Sequence, residues 1–359
     1  MTLPRNSIKT LIKCQKLTKN DILPLFNILG YQLPPNTRKE GLLDALEDHL
    51  NFTKSKFVKY HQVLALDMGL KNMSLARLKL DNKEKLPTLS QWFKINLDPL
   101  DCNFNPINYA NITTKFIYEQ ILNNRLSSIP IDLLMERQRF RTGGASSVLE
   151  STLKTNTIEA MLCMGLTMNN YLNENPNLKI NISSSAPGAM VKYWQNLYYK
   201  DEKISEKESK SFRIELISNM LLSTLKTYEL TPKHVKEYSN MNEYVKISNI
   251  KPYFVLSQDL INGLTKLLKD KKNESRWESA WGFKAHSRRL WEIVKILNEA
   301  NTKNFKIDDE LWATKKGDDL ADSLLHGLTH YEYLKNRDAI RKVIEKSQDV
   351  KEFVLTKGI

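Results

Sequence analysis

The chain contains 359 residues, and its hydrophobic fraction of 41% is enough to bury a sizeable core, which excludes a chain that is disordered throughout. Lysine and arginine total 54 against 41 aspartate and glutamate residues, so the formal net charge is +13 and nucleic acid is the first candidate for a polyanionic partner. The three cysteines form no CxxC pair and no apolar run approaches the roughly 18 residues of a membrane span, so we expect no zinc site, disulfide framework or membrane partner.

The first residues of the chain are basic and rich in hydroxyl side chains, and the first acidic residue is Asp21. This is the composition of a mitochondrial transit peptide. The same composition also suits the basic first helix of a DNA-binding module. Residues 1–20 therefore carry two interpretations, targeting and DNA binding.

Residues 1–52 are expected to include a small helical unit. A first helix is predicted to start near Thr18 and to end at Gly30, where a left-handed residue is wanted. A second helix is predicted from the helical spacing of the apolar residues that follow Lys39. This pattern resembles a SAP module, a short helical DNA-binding motif, in which Lys39 would contact DNA. A plain helical hairpin is the alternative.

Residues 60–340 are expected to form the main domain. Buried or alternating apolar runs predict strands at 63–66, 74–80, 89–97, 131–135 and 180–183. Helices are predicted over 111–126, 146–172, 189–198 and from Asp318 onwards. Three early strands followed by helix–strand alternation indicate an α/β fold with a mixed sheet flanked by helices. A short basic tail is predicted at 341–359.

A long insertion is predicted at about residues 200–300. Its first part, residues 200–211, is charged and without periodicity, so it is interpreted as an exposed loop. The rest is predicted to be mainly helical and contains an aromatic and basic cluster, in which Arg288 and Arg289 are candidate DNA contacts. Tryptophans of this cluster suit either stacking on unpaired bases or, as is more usual, a packed core.

Acidic residues stand at three places where they can converge. Asp67 and Glu136 each end an apolar strand, and Asp318, Asp319 and Asp322 lie at the start of a late helix. Asp319 and Asp322 are three residues apart and so share a helical face. Two-metal hydrolysis of a phosphodiester needs such hard oxygen ligands, with the two ions about 4 Å apart. Each residue alone suits a turn or a helix cap, but their combination predicts a magnesium site.

The stretches LALDMGLKNMSLA, LLMERQRFRTGG and KKGDDLADSLLHG together resemble the fungal mitochondrial cruciform-cutting endonucleases, relatives of the bacterial resolvase RuvC. The resemblance implies an RNase H-like fold and a homodimer that cuts two opposing strands of a four-way DNA junction symmetrically. It also implies a mitochondrial location, in the matrix. By the same resemblance Asp67, Glu136, Asp319 and Asp322 would hold two Mg²⁺ ions, with Mn²⁺ as a substitute. Asp318 is either a further ligand or a capping residue.

Basic residues near the acidic positions are candidate DNA contacts. Arg137, Gln138, Arg139 and Arg141 directly follow Glu136, where they would meet the phosphates that flank the cut. Further candidates are Lys315 and Lys316, with weaker ones at Lys192 and Lys210. His326 lies four residues after Asp322 on the same helical face, where it suits proton transfer, the ordering of a water, or a structural hydrogen bond.

Three rival functions share parts of this pattern. An actin-like or sugar-kinase ATPase needs a second D-x-G phosphate loop, and the sequence contains none. A non-catalytic DNA-binding protein would not need the complete set of carboxylates. An RNase H-like nuclease for RNA–DNA hybrids is the strongest alternative, because the preference for junctions comes from the resemblance and not from the spacing of residues.

Overall fold

The computed structural model describes most of the chain. The described residues are 17–31, 37–52, 60–81, 84–98, 103–123, 129–136, 150–175, 178–199, 204–233, 244–245, 250–301, 315–346 and 348–356. The basic segment at 1–16, the linker at 53–59 and the four candidates Arg137, Gln138, Arg139 and Arg141 lie outside them.

The strands are β1 (Tyr60–Asp67), β2 (Met73–Asp81), β3 (Thr88–Ile95), β4 (Ile131–Glu136), β5 (Ile180–Ser185) and β6 (Val255–Leu256). The α-helices are α1 (Lys19–Leu29), α2 (Lys39–Phe52), α3 (Pro106–Phe116), α4 (Glu150–Leu172), α5 (Pro187–Tyr198), α6 (Glu206–Lys226), α7 (Gln258–Leu267), α8 (Lys271–Gly282), α9 (His286–Ala300), α10 (Asp318–Glu345) and α11 (Val350–Thr356). A π-helix, Ile117–Leu122, continues α3.

The six strands form one mixed sheet in the order β5-β4-β1-β2-β3-β6. The first three strands pair antiparallel, whereas β4 lies parallel to β1 and β5 parallel to β4. The short strand β6 extends the other edge, parallel to β3. Three antiparallel strands followed by two parallel ones confirm the expected fold class, an α/β fold with a mixed sheet flanked by helices.

One face of the sheet is mainly apolar, with the buried Arg77, hydrogen-bonded to Gln62 and Gln91, as an exception. Side chains from alternate positions of β1 to β5 meet α3, the π-helix and α4 there, and the cluster includes Leu64, Leu66, Phe93, Leu133, Met135, Phe116, Ile121, Ile158, Leu162 and Leu166. Full burial of one such side chain contributes roughly 1.5–3 kcal/mol. This face therefore supplies much of the stability of the domain.

The opposite face carries the candidate functional residues. Successive side chains of a strand point to opposite faces, so Asp67, Lys94 and Glu136 lie opposite the apolar cluster. Helix α10 packs on this face so closely that a Cβ at Gly327 would lie 2.9 Å from Leu78 Cδ1. A glycine at that position lets the start of α10, with its aspartates, reach the sheet.

The chain divides into two compact units. One comprises the described parts of Met1–Lys59, Gly188–Tyr199 and Thr329–Ile359, and the other those of Tyr60–Pro187 and Lys200–Leu328. The sheet, the insertion and the first turns of α10 belong to the second unit. The first unit is therefore assembled from three separate stretches of sequence.

The first unit has its own core. Buried residues of α1 and α2 pack with the later part of α10 and with α11, among them Leu25, Leu42, Leu46, Ile340, Ile344 and Val350. The predicted limits of α1 are confirmed, since Thr18 and Asp21 form a capping box and Gly30 has a φ of 68°. Such a cap contributes about 1 kcal/mol. The SAP assignment of α1 and α2 stays a prediction.

Three local predictions differ from the structure. The loop predicted for residues 200–211 is wrong from Ser205 onwards, because Ser205 and Glu208 form a capping box that starts α6 at Glu206. The helix predicted over 111–126 includes the π-helix but not its π geometry, and β6 has no counterpart among the predicted elements. Residues 341–359, predicted as a tail, include the end of α10 and all of α11, where Val350 and Val354 are buried.

Candidate metal centre

Three strand ends meet at one edge of the sheet. Glu136 is paired with Ser185 of β5, and Leu66, which precedes Asp67, is paired with Met135, which precedes Glu136. The parallel register therefore places Asp67 and Glu136 side by side at the carboxyl ends of neighbouring strands. Both positions are predicted from the sequence, and the structure brings them together.

The start of α10 brings the other aspartates to this edge. Asp318 and Asp319 lie in its first turn and Asp322 one turn later. The start of the helix is held by α9, since the Gly317 N–H donates to Ser287 Oγ at 2.7 Å and a Cβ at Gly317 would lie 2.5 Å from the Ser287 carbonyl oxygen. On the sheet side, Ser323 Oγ lies 2.8 Å from Ser74 Oγ. The aspartates thus sit on a fixed helix end.

The carboxylates of the centre are close enough to oppose each other's ionisation. Burial and the charge of Glu136, with smaller contributions from Asp322 and Asp319, raise the pKa of Asp67 well above its usual value. Burial and the charge of Asp318 also raise the pKa values of Asp319 and Asp322, against the opposing effect of nearby cations. An excess of negative charge at one buried place is a condition that favours a bound cation.

Two buried cations bind the helical aspartates. The Lys94 side chain is 0% exposed, and its Nζ contacts Asp319 Oδ2 at 2.5 Å and the Lys316 carbonyl at 2.9 Å. Arg213 of α6 donates from Nε and Nη2 to the two oxygens of Asp322, at 2.5 and 3.0 Å. Burial lowers the pKa of Arg213, but the charges of Asp322 and its neighbours outweigh this and raise it.

His326 lies beside the strand ends. Its side chain is 1% exposed, Nδ1 lies 2.6 Å from Ser185 Oγ, and Nε2 lies 4.0 Å from Glu136 Oε2. Burial lowers the pKa of His326 to about 4, so the imidazole is neutral at neutral pH. His326 thus makes a structural hydrogen bond with Ser185 through Nδ1. Its neutral Nε2 faces the Glu136 carboxylate.

The donor set suits a hard divalent cation. It offers only carboxylate oxygens and one imidazole nitrogen, which are ligands that Mg²⁺ and Mn²⁺ accept. Asp318 Oδ1 and His326 Nε2 are buried and have no hydrogen-bond partner among the described residues. In the positions described, however, no three His, Cys, Asp or Glu side chains are close enough together to share an ion.

The basic and aromatic candidates of the second unit separate into two groups. Lys315, Lys316 and Arg288 are exposed, as a phosphate contact requires. Arg289 is a correction, because it is buried and its Nε and Nη2 both donate to the Phe283 carbonyl, which makes it a structural residue. The core interpretation of the tryptophan cluster is confirmed, since its buried members are Trp277, Trp281 and Trp291.

Two candidates lie in the first unit. Lys39 is the first residue of α2 and is exposed. Lys192 of α5 is exposed and lines a half-open cavity of about 560 Å³ together with Tyr31, Tyr193 and Asn196. Neither belongs to the unit that holds the carboxylates.

Sequence reasoning misses three members of the centre, Lys94, Arg213 and Ser185. Lys94 carries a usable signal, since it stands between the apolar residues Phe93 and Ile95 and shares a face with Trp92. Arg213 carries none, because its helix lies in the insertion and begins in a segment with the composition of a loop. Ser185 lies just beyond the strand end predicted at residue 183.

Residues 63–340 match the family described as mitochondrial resolvase Ydc2 / RNA splicing MRS1, and the chain belongs to that family. The mitochondrial cruciform cutting endonuclease 1 of Saccharomyces cerevisiae is 27% identical over an alignment of 361 residues, gaps included. The alignment covers 94% of this chain and 88% of that protein. The crystal structure of the yeast mitochondrial Holliday junction resolvase Ydc2 is 16% identical, with a TM-score of 0.48, over 94% of this chain and 99% of that chain.

Proposed function

We propose that the chain is a structure-selective endonuclease that resolves four-way DNA junctions by metal-dependent hydrolysis of phosphodiesters. The family and the relative named as a cruciform cutting endonuclease support the substrate. The observation that carries the proposal is the acidic centre, in which strand ends and a helix start bring five carboxylates to one edge of the sheet.

The acidic centre also favours one of the two activities in the family description, that of a resolvase over that of an RNA splicing protein. Binding to nucleic acid requires basic surface and no cluster of buried carboxylates. A cluster of buried carboxylates destabilises the fold when no metal cation is bound to it. Its presence favours a protein that cuts over one that only binds.

The residues of the centre have separate roles in this proposal. Asp67, Glu136, Asp319 and Asp322 would hold two Mg²⁺ ions, and Asp318 is a fifth candidate ligand. When bound, the ions activate a water and stabilise the charge on the scissile phosphate. His326 is neutral, so at neutral pH it accepts a proton or orders a water and does not act as a proton donor.

Exposed basic residues would bind the DNA backbone. Lys315 and Lys316 immediately precede the aspartates of α10, so they are well placed for phosphates near the cut. Arg137, Gln138, Arg139 and Arg141 are proposed for the same role from the sequence. Replacement of the three arginines by Ala should lower the slope of log affinity against log salt by about 0.9 for each phosphate that the variant no longer binds.

A homodimer is proposed because symmetric cutting of two opposing strands needs two centres. The outer side of α4 carries large exposed apolar residues at helical spacing, Met164, Met168, Tyr171 and Leu172. Contiguous exposed apolar side chains often mark a protein–protein interface. Met168→Asp should give a monomer in light scattering, whereas the control Leu355→Asp, at an exposed position of α11, should not. Wild-type protein that is monomeric at micromolar concentration would refute the dimer.

A mitochondrial matrix location is proposed from the relative's name and from the basic, acid-free start of the chain. Of the helices in the described part, none is both long enough and apolar enough to cross a membrane. Fusion of residues 1–20 to a fluorescent protein should direct it to the matrix. Cytosolic fluorescence of that fusion would oppose a targeting role for the segment.

The decisive test compares three substrates at equal concentration, a four-way junction, a linear duplex and an RNA–DNA hybrid. The proposal predicts that Mg²⁺ supports cutting of the junction alone, on two opposing strands at equivalent positions, and that EDTA abolishes it. Asp67→Asn serves as the inactive control. Preferential cutting of the hybrid would favour the alternative, and binding of all three without cutting would identify a non-catalytic protein.

A further inference from the structure

Two buried cations lie among the carboxylates of the centre, and each comes from an element other than the helix whose aspartate it binds. Lys94 belongs to a central strand and Arg213 to a helix of the insertion. Lysine and arginine are almost never fully buried unless they are paired. The cost of removing two such charges from water is large, so their location at the acidic centre calls for a function.

We infer that Lys94 and Arg213 are positioning residues of the metal centre, which hold Asp319 and Asp322 in place for the metal and stay there once it is bound. The inference rests on the metal-dependent cleavage proposed above. It assigns a role to a helix of the insertion, which reaches the centre through Arg213.

The contacts of Lys94 hold Asp319 in place and leave one of its carboxylate oxygens for a metal. Its Nζ donates to one oxygen of Asp319 and to the carbonyl of Lys316, which lies just before the helix. The lysine is thereby tied both to the carboxylate and to the start of α10. The second oxygen of Asp319 makes neither of these two contacts, and the Asp319 side chain is 26% exposed, so that oxygen is available to a metal.

The contacts of Arg213 hold Asp322 from one side of its carboxylate. The guanidinium is itself held, because Nη1 donates to Ser209 Oγ at 2.9 Å one turn earlier in α6. Its other two donors bind both oxygens of Asp322. A carboxylate oxygen has two lone pairs, so each oxygen keeps one for a further ligand. Carboxylates that bind metals are commonly held by such hydrogen bonds from their other side.

The charges of the centre also favour permanent cations. Five carboxylates and one scissile phosphate carry six negative charges when all are ionised. Two divalent ions together with Lys94 and Arg213 carry six positive charges. If the two residues left when the metals arrived, the buried centre would hold an uncompensated excess of negative charge, which is unfavourable away from water.

A competing role is a direct contact with the scissile phosphate, as a cation that stabilises the transition state. The two roles predict different measurements. A positioning residue sets how tightly the metal binds, and its removal is overcome by more metal. A phosphate contact sets the rate of cleavage at saturating metal.

The test measures metal binding without DNA, as the rise of the melting temperature during titration with Mg²⁺ or Mn²⁺. Lys94→Met and Arg213→Met should each raise the half-saturating metal concentration about 10- to 100-fold, the usual cost of removing a partner of a ligand. The matched control is Lys207→Met, which removes a charge from the exposed side of α6. It should leave the metal titration unchanged. At saturating metal both variants should cut the junction at nearly the wild-type rate.

Two results would overturn the inference. An unchanged or tighter metal titration would show that the cations only repel the metal or stabilise the fold. A cleavage rate that stays low at saturating metal would identify a phosphate contact instead. Should a methionine variant fail to fold, Arg213→Lys is the second variant, because it keeps the charge but cannot bind both oxygens of Asp322. It should raise the half-saturating metal concentration by a smaller factor than Arg213→Met. Wild-type protein that binds metal but leaves junctions intact would refute the proposed function alone.

Discussion

The two faces of the central sheet differ in chemistry although the same strands build both. The face under α3, the π-helix and α4 is mainly an apolar cluster. The face under α10 carries carboxylates whose pKa values are raised and two buried cations. Because side chains alternate along a strand, a single residue step separates the two environments. The comparison shows that the apolar cluster supplies stability, while the carboxyl end of the other face, which is otherwise packed with apolar residues such as Ala65 and Leu78, holds groups that weaken the fold unless a metal cation is bound.

The largest effect on cleavage is expected from changes to the candidate metal ligands, on the face under α10. Asp67→Asn, Glu136→Gln or Asp322→Asn should reduce cleavage by about 10³-fold or more, since metal binding stabilises the transition state by several kcal/mol. Junction binding should change little, because phosphate contacts supply most of the affinity. Single-turnover cleavage and a gel-shift assay measure the two quantities. Near wild-type cleavage by any of the three variants would remove that residue from the centre.

The apolar face should respond in the opposite way. Leu162→Ala should lower the free energy of unfolding by about 2–5 kcal/mol, because a buried leucine leaves a cavity when it is shortened. Asp67→Asn, in contrast, should raise the stability of the metal-free protein, because it removes a charge that burial and Glu136 disfavour. Urea unfolding in EDTA compares the two variants. A destabilised Asp67→Asn would mean that this aspartate contributes hydrogen bonds that matter more than its charge.

The pH dependence of stability sharpens the same contrast. The folded protein holds protons on Asp67, Asp319 and Asp322 at pH values where the unfolded chain, with a pKa near 3.9, has released them. Stability of the metal-free protein should therefore fall as pH rises above about 4, by up to about 1.4 kcal/mol per pH unit for each retained proton. His326 contributes the opposite slope, but only between about pH 4 and 6.5, because its folded pKa lies below the unfolded value.

The measurement therefore compares wild type with Asp67→Asn in EDTA from about pH 4 upwards, because the contribution of His326 is common to both proteins. The wild type should lose more stability per pH unit than the variant, and saturating Mg²⁺ should remove the difference by binding the ionised form. Parallel curves for the two proteins would show that Asp67 ionises in the folded protein over the same pH range as in the unfolded chain. That result would weaken the case that the centre is strained without metal.

The sheet and the carboxylates are predictable from the sequence because both follow from local patterns. A buried apolar run that ends in Asp67 or Glu136 specifies a strand and the edge where it ends, and the spacing of Asp319 and Asp322 specifies one helical face. The presence of Lys94 and Arg213 at the centre does not follow from local patterns. Arg213 is 109 positions from Asp322 along the chain, and only the tertiary fold brings them together. The start of α6 escapes prediction because a charged segment with a capping box looks like a loop when periodicity is the only criterion.

The smallest effects are expected in the first unit, which holds none of the carboxylates. Deletion of α1 and α2 is a poor test of its role, since it would expose Ile340, Ile344 and Val350, whose partners lie in those helices. Point variants avoid this problem. Lys39→Ala and Lys192→Ala remove exposed charges and leave the core intact. The control is Lys346→Ala, which removes an exposed charge from the same unit.

Each of the two variants should weaken junction binding and lower the slope of log affinity against log salt by about 0.9, which amounts to about threefold in affinity over a fourfold change in salt. The cleavage rate on saturating junction should equal that of the wild type, since neither residue lies in the unit that holds Asp67. Fluorescence anisotropy at three salt concentrations gives the slope. An unchanged slope in the double variant would leave the first unit without a role in phosphate binding through these lysines. A reduced rate on saturating junction would instead mean that this unit acts on the chemistry, and the contrast between the two faces of the sheet would no longer describe the whole active centre.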